Sequence, residues 1–487
     1  MTHPTDPVDP VATPAPATPA PTAATPAAVP APVPAPVPVR GPRQVPFIGN
    51  LPAFARDPLA FFTRLRGLGD LVEWKLGPQR ALFLSRPEHI GELLTGVETQ
   101  YRHPELGWAF KLVLGDGVVT SEGPAWRRKR ALVQPAVRPR QVRGHAGTMT
   151  DCAATLAVSW RHGQRVDVRE EMLGLTQRIA VRTLFGADTA GREGAIGPAM
   201  DIAQREIGSE FRGLTLFLPP WVPTPGRRQL RKAVAVIDRE VARVTDHRRR
   251  AGDGETRDDL LSRLLAARDE EDRPLSDKEI RDEAVTLYIG GHETTGTTLT
   301  WVWYLLARNP GARARLDREL ADVLAGRTPG HDDVKDLTWT ERVVKETLRL
   351  YPPVWLMTAI AKGDSTLGGR PVAEGTVLWS SQWSAHRDAR WFPEPEAFRP
   401  ERWDPDASPG VPDHAWFPFG GGARACLGAR FAMVEAVLVL ATLAQRFHVD
   451  VEGGENPPKT GLTLQPSLPV RGTLRAVVAA GAVPPQA

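Results

Sequence analysis

The longest regular pattern of apolar and polar positions lies in the third quarter of the chain. A capping box, Ser276-Asp-Lys-Glu279, precedes it and predicts a helix start. The helical pattern continues to Arg308, and Asn309-Pro310 ends it because the residue before a proline is held away from helical torsions. The pattern therefore predicts a helix of about 32 residues, roughly 48 Å long at 1.5 Å per residue. A helix this much longer than average must cross the whole molecule.

The rest of the pattern predicts further helices and a few short strands. Helical periodicity occurs at 58–65, in successive amphipathic segments from 144 to 250, and at 340–351. From 101 to 119 the period fades, and we expect an apolar loop lying over a pocket. Together these patterns predict a fold that is mainly α with a small β region. Alternation of apolar and polar residues predicts strands at Leu71–Leu76, Ala81–Ser85, Thr376–Trp379 and Gly461–Ser467.

The first 40 residues differ in composition from the rest of the chain. They are nearly all Pro, Ala, Val and Thr, with proline at roughly every third position. Such a segment buries too little apolar surface to offset the entropy cost of ordering it. We therefore expect a disordered, semi-extended tail over residues 1–40 and a single domain over residues 41–487.

Composition and charge exclude several classes of protein. The chain has 61 basic and 57 acidic residues, a net charge of +4, which is too even for a nucleic-acid binder. No apolar run reaches the roughly 18–20 residues of a membrane span, and the N-terminus lacks the pattern of a signal peptide. The two cysteines, Cys152 and Cys426, form no disulfide framework, and Cys152 is expected to be buried. We therefore expect a cytoplasmic protein with no membrane span.

Cys426 lies in a glycine-rich run, Phe417-Pro-Phe-Gly-Gly-Gly-Ala-Arg-Ala-Cys-Leu-Gly-Ala-Arg430. Glycines let a backbone approach a flat, bulky partner and accept torsions that other residues resist. A helical pattern follows at once, and the dipole at a helix start favours a thiolate over a thiol. A thiolate here can serve as a metal ligand or a nucleophile, whereas a lone cysteine is often a small buried hydrophobe. The cysteine alone leaves these alternatives open.

Phe419, Gly422, Arg424, Cys426 and Gly428 form the pattern F-x-x-G-x-R-x-C-x-G. This pattern resembles the haem-binding loop of the cytochrome P-450 family. The resemblance implies the P-450 fold, with haem b held between the long central helix and the cysteine loop. It also implies that Cys426 is the proximal ligand of the iron, whose thiolate favours O–O cleavage. Phe419 would then shield the thiolate, Arg424 would pair with a haem propionate, and Gly428 would let the helix pack closely.

The middle of the long helical segment reads Gly290-Gly-His-Glu-Thr-Thr-Gly296, which is poor helix-forming chemistry. Glycines such as Gly290 and Gly291 let a flat object lie against the helix, while Thr and Glu can open the backbone ladder and hold water. The run resembles the family pattern A/G-G-x-D/E-T. The resemblance implies that Glu293 and Thr294 are the acid and the alcohol that deliver protons for dioxygen cleavage. His292 occupies the variable position and is expected to be a packed side chain.

A second helix carries a pair of opposite charges. Glu346 and Arg349 are three residues apart on one face, and the helix ends at Pro352-Pro353. This run resembles the E-x-x-R hallmark of the family. The resemblance implies that Arg402 completes a structural Glu–Arg–Arg cluster behind the haem. Loss of one member would leave a buried charge unpaired.

Contacts to the haem propionates are also implied by the resemblance. Trp126 and Arg130 are four apart on one helix face, and the family uses this pair on propionates. The chain departs from the family at Ala359, where an arginine often binds a propionate. Lys362 or another side chain is the expected substitute.

The resemblance covers residue 41 to about 477, with four motifs in family order. It implies a monooxygenase that takes two electrons and O₂, inserts one oxygen atom into a C–H or C=C bond and releases water. Because no flavin or iron–sulfur domain follows, we expect a separate ferredoxin and ferredoxin reductase as partners. A basic face that includes Arg130 or Arg430 would suit an acidic ferredoxin. We expect a monomer.

The expected substrate contacts are mostly apolar, which favours a hydrophobic natural product. The run Pro353–Thr358 resembles bacterial members that oxidise terpenes, so a terpenoid is the favoured substrate. A fatty acid and a macrocyclic polyketide remain alternatives, as does a haem protein that binds or senses without turnover, although Glu293 and Thr294 argue against the last. The candidate contacts are Trp108, Phe110, Leu114, Phe211, Leu214, Leu287, Gly291, Thr295, Val354, Trp355 and Met357.

Overall fold

The computed structural model describes residues 39–104, 107–186, 196–210, 219, 221–251, 259–406 and 410–477. These residues belong to one compact unit. Residues 1–38 of the expected tail lie outside the described residues. Residues 39 and 40 differ from the expectation, because they pair in parallel with the strand at 71–76.

Helices make up most of the described chain, and their bounds follow from caps and breakers. Seven of them have proline at one of the first two positions, where its missing N–H costs nothing. The α-helices are α1 (Leu51–Arg56), α2 (Pro58–Leu68), α3 (Pro87–Gly96), α4 (Trp108–Leu114), α5 (Gly123–Val133), α6 (Pro139–Ser159), α7 (Val168–Phe185), α8 (Ile196–Glu210), α9 (Pro225–Ala251), α10 (Leu260–Ala266), α11 (Asp277–Arg308), α12 (Pro310–Leu324), α13 (Thr338–Leu350), α14 (Gln382–Ala385) and α15 (Ala429–Ala444).

The strands are short, and most of them occur in the sequence before α4 or after α13. They are β1 (Val39–Arg40), β2 (Leu71–Leu76), β3 (Gln79–Leu84), β4 (Tyr101–Arg102), β5 (Arg165–Asp167), β6 (Met357–Ala361), β7 (Ser365–Leu367), β8 (Arg370–Val372), β9 (Val377–Ser380), β10 (Phe447–Val451), β11 (Pro458–Lys459), β12 (Gln465–Pro466) and β13 (Arg471–Ala476). The largest sheet has six strands in the order β1-β2-β3-β9-β6-β4, and a three-stranded sheet has the order β10-β13-β5. In the large sheet β3 pairs in parallel with β9, from Ala81 opposite Val377 to Leu84 opposite Ser380.

The prediction of a 32-residue central helix is confirmed by α11. Ser276 and Glu279 form the capping box, and Asn309 is the C-cap. From Thr295 to Leu306 every residue of α11 is buried, because helices and strands surround this half of it. Gly296 allows α7 to approach, since a Cβ there would lie 2.8 Å from a methyl carbon of Leu173.

The structure corrects two of the predicted elements. Residues 108–114 were expected in an apolar loop but form the helix α4, which begins after Gly107 and ends at Gly115. Ala109, Val113 and Leu114 share its buried face, and seven residues are too few for such a period to stand out. The strand expected at 461–467 is reduced to β12, which pairs only with β11.

Candidate functional site

A cavity of about 550 Å³ separates α11 from the loop that precedes α15. Gly290, Gly291 and Thr294 of α11 line one wall, and Phe419 and Cys426 line another. Apolar side chains make up most of the remaining lining among the described residues. A cavity of this size and character is typical of a small-molecule or cofactor site.

Backbone contacts hold the cysteine loop in one conformation. The Cys426 N–H donates to the Phe419 carbonyl over 2.9 Å. Gly422 has φ of +60°, and a side chain there would also collide with the Leu94 carbonyl. α15 begins at Ala429, directly after this loop. The glycines therefore place the cysteine at the cavity wall rather than inside a packed core.

The thiol of Cys426 is exposed to the cavity yet surrounded by protein. Burial raises its pKa, while the Gly428 N–H and the positive charge of Arg130 lower it. The Gly428 N–H at the helix start thus favours the thiolate, as expected, but burial has the larger effect in the chain alone. A coordinated metal ion removes the proton of a thiol outright, so this site fits a metal ligand.

The facing wall on α11 is a strip of small residues. A Cβ added to Gly290 or Gly291 would meet no atom within 4 Å beyond the helix's own backbone, so a flat group can lie against this strip. Thr294 lines the cavity, and its hydroxyl donates to the Gly290 carbonyl over 2.6 Å. This is the bond to the preceding turn that a threonine inside a helix commonly makes.

Glu293 lies on a different face of α11 and is not among the described residues that line the cavity. It is 5 % exposed, and its Oε1 accepts hydrogen bonds from Thr463 Oγ1 and Gln465 Nε2, each over 2.7 Å. His292 is also buried, and burial lowers its pKa to about 4, so the ring is neutral. Its ring packs on Tyr288 with centroids 5.6 Å apart. The expectation of a packed His292 agrees with this placement.

Two arginines lie at the side of the cavity nearest the cysteine loop. Arg424 lines the cavity, stacks on Trp126 at 4.1 Å and pairs with Glu98 over 2.6 Å and with Glu122 over 3.1 Å. Arg130 also lines it and donates to the Ala425 carbonyl over 2.8 Å. The structure thus brings Trp126, Arg130 and Arg424 together at one edge, where carboxylates can be bound.

Ala359, which replaces the expected arginine, packs in an apolar cluster at 1 % exposure. Lys362 is exposed and donates to the Glu98 carbonyl over 2.6 Å, and it is not among the described residues that line the cavity. His103 does line the cavity, and its pKa is lowered by burial and by the charge of Arg424. His103 is therefore a better placed polar substitute than Lys362.

Glu346, Arg349 and Arg402 meet in one buried network. Glu346 accepts from Arg349 Nε and Nη2 and from Arg402 Nε, each over 2.9 Å. The Arg399 N–H and the Trp403 indole complete five donors to a side chain of 0 % exposure. Arg349 also donates to the backbone carbonyls of His386, Pro395 and Ala397. This cluster ties α13 to the segment that leads into the cysteine loop.

The structure separates the predicted substrate contacts into two sets. Leu287, Gly291, Thr295, Val354 and Met357 line the cavity. A second set packs elsewhere and is not among the described lining residues: Trp108, Phe110, Leu114 and Trp355. Phe211 and Leu214 lie outside the described residues.

Packing partners explain the second set. Trp108 stacks with Arg227 at 5.1 Å, and Leu114 is buried among α4, α8 and α9. The Trp355 indole donates to the Gly461 carbonyl over 3.3 Å. Each of these side chains is directed into a neighbouring element, so its apolar character reflects packing.

Several residues that line the cavity were not among the predicted contacts. His103, Val118, Ala180, Leu184 and Thr298 line the cavity, although they come from four separate segments. No local period links them, so only the fold brings them together. The partners of Glu293 carry a weak signal, because Thr463 and Gln465 alternate on one side of the closing segment.

Comparison with known proteins agrees with the fold. The cytochrome P-450 family model matches residues 39–472. Cyclooctatin synthase of Streptomyces melanosporofaciens is 36% identical over 431 residues, which cover 87% of this chain and 92% of that protein. Pentalenene oxygenase of Streptomyces avermitilis is 36% identical over 424 residues, which cover 84% and 91%.

A solved structure shares the architecture. The retinoic acid bound cyanobacterial CYP120A1 superposes with a TM-score of 0.79 at 24% identity, over 91% of this chain and 99% of that one. The chain therefore belongs to the cytochrome P-450 family, and it is a haem-thiolate monooxygenase. Among the described helices, none combines the length and apolar character that crossing a bilayer requires.

Proposed function

We propose that this chain binds haem b through Cys426 and oxidises a terpenoid. The residues present fit the haem: a thiol at one wall, a glycine strip without side chains at the other, and arginines at one edge. Arg130, Arg424 and Trp126 would hold its carboxylates. His103 would provide a polar contact in place of the arginine that Ala359 replaces. Phe419 lies beside the cysteine and excludes water from the thiolate. When bound, the haem supplies the activation of dioxygen and the insertion of one of its two oxygen atoms into a C–H or C=C bond, while the other leaves as water.

The chain's own groups supply protons to this chemistry. Thr294 presents its hydroxyl at the cavity wall, within reach of a bound molecule. Glu293, the next residue toward the N-terminus, is the acid that restores the proton of that hydroxyl group through water. The apolar lining keeps bulk water away, which limits the competing release of peroxide.

The substrate class is inferred from the cavity and from the relatives. Leu287, Val354, Leu356 and Met357 offer apolar contacts in the cavity. Three relatives of 34–36% identity carry names that refer to cyclooctatin, cyclooctat-9-en-7-ol and pentalenene. The observation that carries the proposal is a single apolar cavity with Cys426 on one side and Thr294 on the other.

Electrons would come from a separate ferredoxin and its reductase. Exposed arginines lie on α5, α6 and α15 or at the N-cap of α6: Arg127, Arg138, Arg140 and Arg430. α5 reaches this loop through Arg130, and α6 reaches α15 through His145 and Phe431, whose rings are 6.1 Å apart. An acidic ferredoxin would be attracted to such a face, with an on-rate that falls as salt is raised.

A ligand screen followed by turnover tests the proposal. The haem-loaded protein is titrated with cyclic terpene hydrocarbons, a fatty acid and a macrolide, and the shift of the Soret band is recorded. NADH oxidation and product are then measured with a surrogate ferredoxin and reductase. We expect shifts and oxygenated product with terpenoids. A response to the fatty acid or the macrolide alone would contradict the substrate class, and haem binding without NADH oxidation would contradict turnover.

A further inference from the structure

Glu293 is held by two donors from a distant segment. Thr463 Oγ1 and Gln465 Nε2 both donate to its Oε1, each over 2.7 Å. Gln465 Nε2 also lies 3.2 Å from Thr463 Oγ1, so the two donors are ordered relative to each other. Oε2 of Glu293 is buried and has no hydrogen-bond partner among the described residues. Oε1 is therefore held by two donors, whereas Oε2 has no donor among the described residues.

These bonds are not needed to attach the closing segment to the core. The Leu464 N–H donates to the Pro353 carbonyl over 3.0 Å, and the Leu464 carbonyl accepts from the Trp301 indole over 2.9 Å. The Trp355 indole donates to the Gly461 carbonyl over 3.3 Å. The segment is thus anchored to α11 and to the run after α13 by three other bonds.

Burying a carboxylate at 5 % exposure is costly unless its oxygens are paired. Two neutral donors on a single oxygen compensate part of this cost and fix the side-chain torsions. Thr294, whose hydroxyl lines the cavity, is the adjacent residue of the same helix. When the side-chain torsions of Glu293 are held, the distance from its Oε2 to the cavity wall is held as well.

We propose that Thr463 and Gln465 are positioning residues that hold Glu293 for proton delivery, with Oε2 as the oxygen that carries the proton. This inference rests on the proposed function. A proton leaves Oε2 toward the Thr294 hydroxyl through water, and Oε2 is reprotonated from solvent, so the carboxyl group is unchanged after each cycle. The N–H and O–H protons of Gln465 and Thr463 stay in place throughout.

The first test is spectroscopic and requires no turnover. Infrared difference spectra of the haem-loaded protein, wild type minus E293Q, identify the carboxyl bands of Glu293. T463V and Q465L each remove one donor and should shift these bands, whereas T463S should restore the wild-type position. S467A is the matched control, because Ser467 lies on the same segment and bonds to Asn456 rather than to Glu293. Unshifted bands in both T463V and Q465L would overturn the proposal.

The second test measures proton delivery. With pentalenene as probe, T463V should form about tenfold less product per NADH consumed, with more H₂O₂ and a larger solvent isotope effect. The spectral dissociation constant for pentalenene and the unfolding midpoint should stay near those of S467A. If T463V changes only the dissociation constant or the midpoint, the two residues are structural and the proposal fails. A wild type that oxidises neither NADH nor pentalenene would contradict the proposed function instead, while the infrared bands still decide the inference.

Discussion

Replacing Glu346 by glutamine should destabilise the fold severely. All five groups that contact its carboxylate are N–H donors, and the side chain is 0 % exposed. A glutamine offers one acceptor oxygen and turns its own NH₂ toward these donors. Arg349, which is also 0 % exposed, and Arg402 would then be buried without a counter-charge.

The magnitude follows from the burial of the network. Breaking a buried ion pair by removing one partner costs about 3–5 kcal/mol, because the remaining charge stays desolvated. The same substitution at Glu341 provides a matched control on the same helix. Glu341 pairs with Lys345 over 2.8 Å, with side chains 38% and 32% exposed. Exposed pairs of this kind contribute about 0.3–0.5 kcal/mol.

Urea unfolding followed by far-UV circular dichroism measures both variants. The change in the free energy of unfolding is taken from the shift of the midpoint at a common slope. E346Q should unfold at a much lower urea concentration and take up less haem, while E341Q should match the wild type. An E346Q protein within about 1 kcal/mol of E341Q would refute the assignment of the network as a core element.

Three further predictions concern single side chains. Burial raises the pKa of Glu283 in the folded protein to about 7, above its ordinary 4.5. Because the unfolded chain loses this proton at a lower pH, the free energy of unfolding falls as the pH rises from 4.5 to 7. E283Q cannot ionise, so its free energy of unfolding in urea should equal that of the wild type near pH 4 and exceed it by about 3 kcal/mol above pH 7. The same pH dependence of the free energy of unfolding in both proteins would contradict this. T294A should lower the product formed per NADH about tenfold, whereas T298A, which removes a similar hydroxyl one turn later, should not; equal losses would argue against a special role for Thr294. R424A should lose haem to apomyoglobin about tenfold faster, because a buried cation is removed, while R430A, at an exposed position of the same region, should behave as the wild type.

Local signals account for what the sequence could predict. The capping box at Ser276 and the proline after Asn309 set the ends of α11 through contacts within a few residues. The glycines around Cys426 allow backbone torsions that other residues resist, such as φ of +60° at Gly422. A glycine in the sequence signals such a torsion by itself. Elements and motifs of this kind need no knowledge of the rest of the fold.

Side-chain direction was not predictable in the same way. Trp108 and Leu114 look like cavity residues in an apolar stretch, but α4 directs them toward Arg227 and the neighbouring helices. The partners of Glu293 are 170 and 172 residues away in the chain, so the local alternation of Thr463 and Gln465 does not show which residue they contact. Glu293 and Thr294 lie on different faces of α11, as consecutive residues of a helix do, but only the fold shows that the face of Glu293 meets Thr463 and Gln465.

The most direct test of the account is the absorption spectrum of the reduced carbonyl complex. Haem-loaded wild-type protein should give the red-shifted Soret band that thiolate ligation produces, and C426S should bind haem without that band. R430A, four residues further on, should retain the band. A wild-type complex without the red-shifted band, or a C426S complex that keeps it, would contradict Cys426 as the iron ligand.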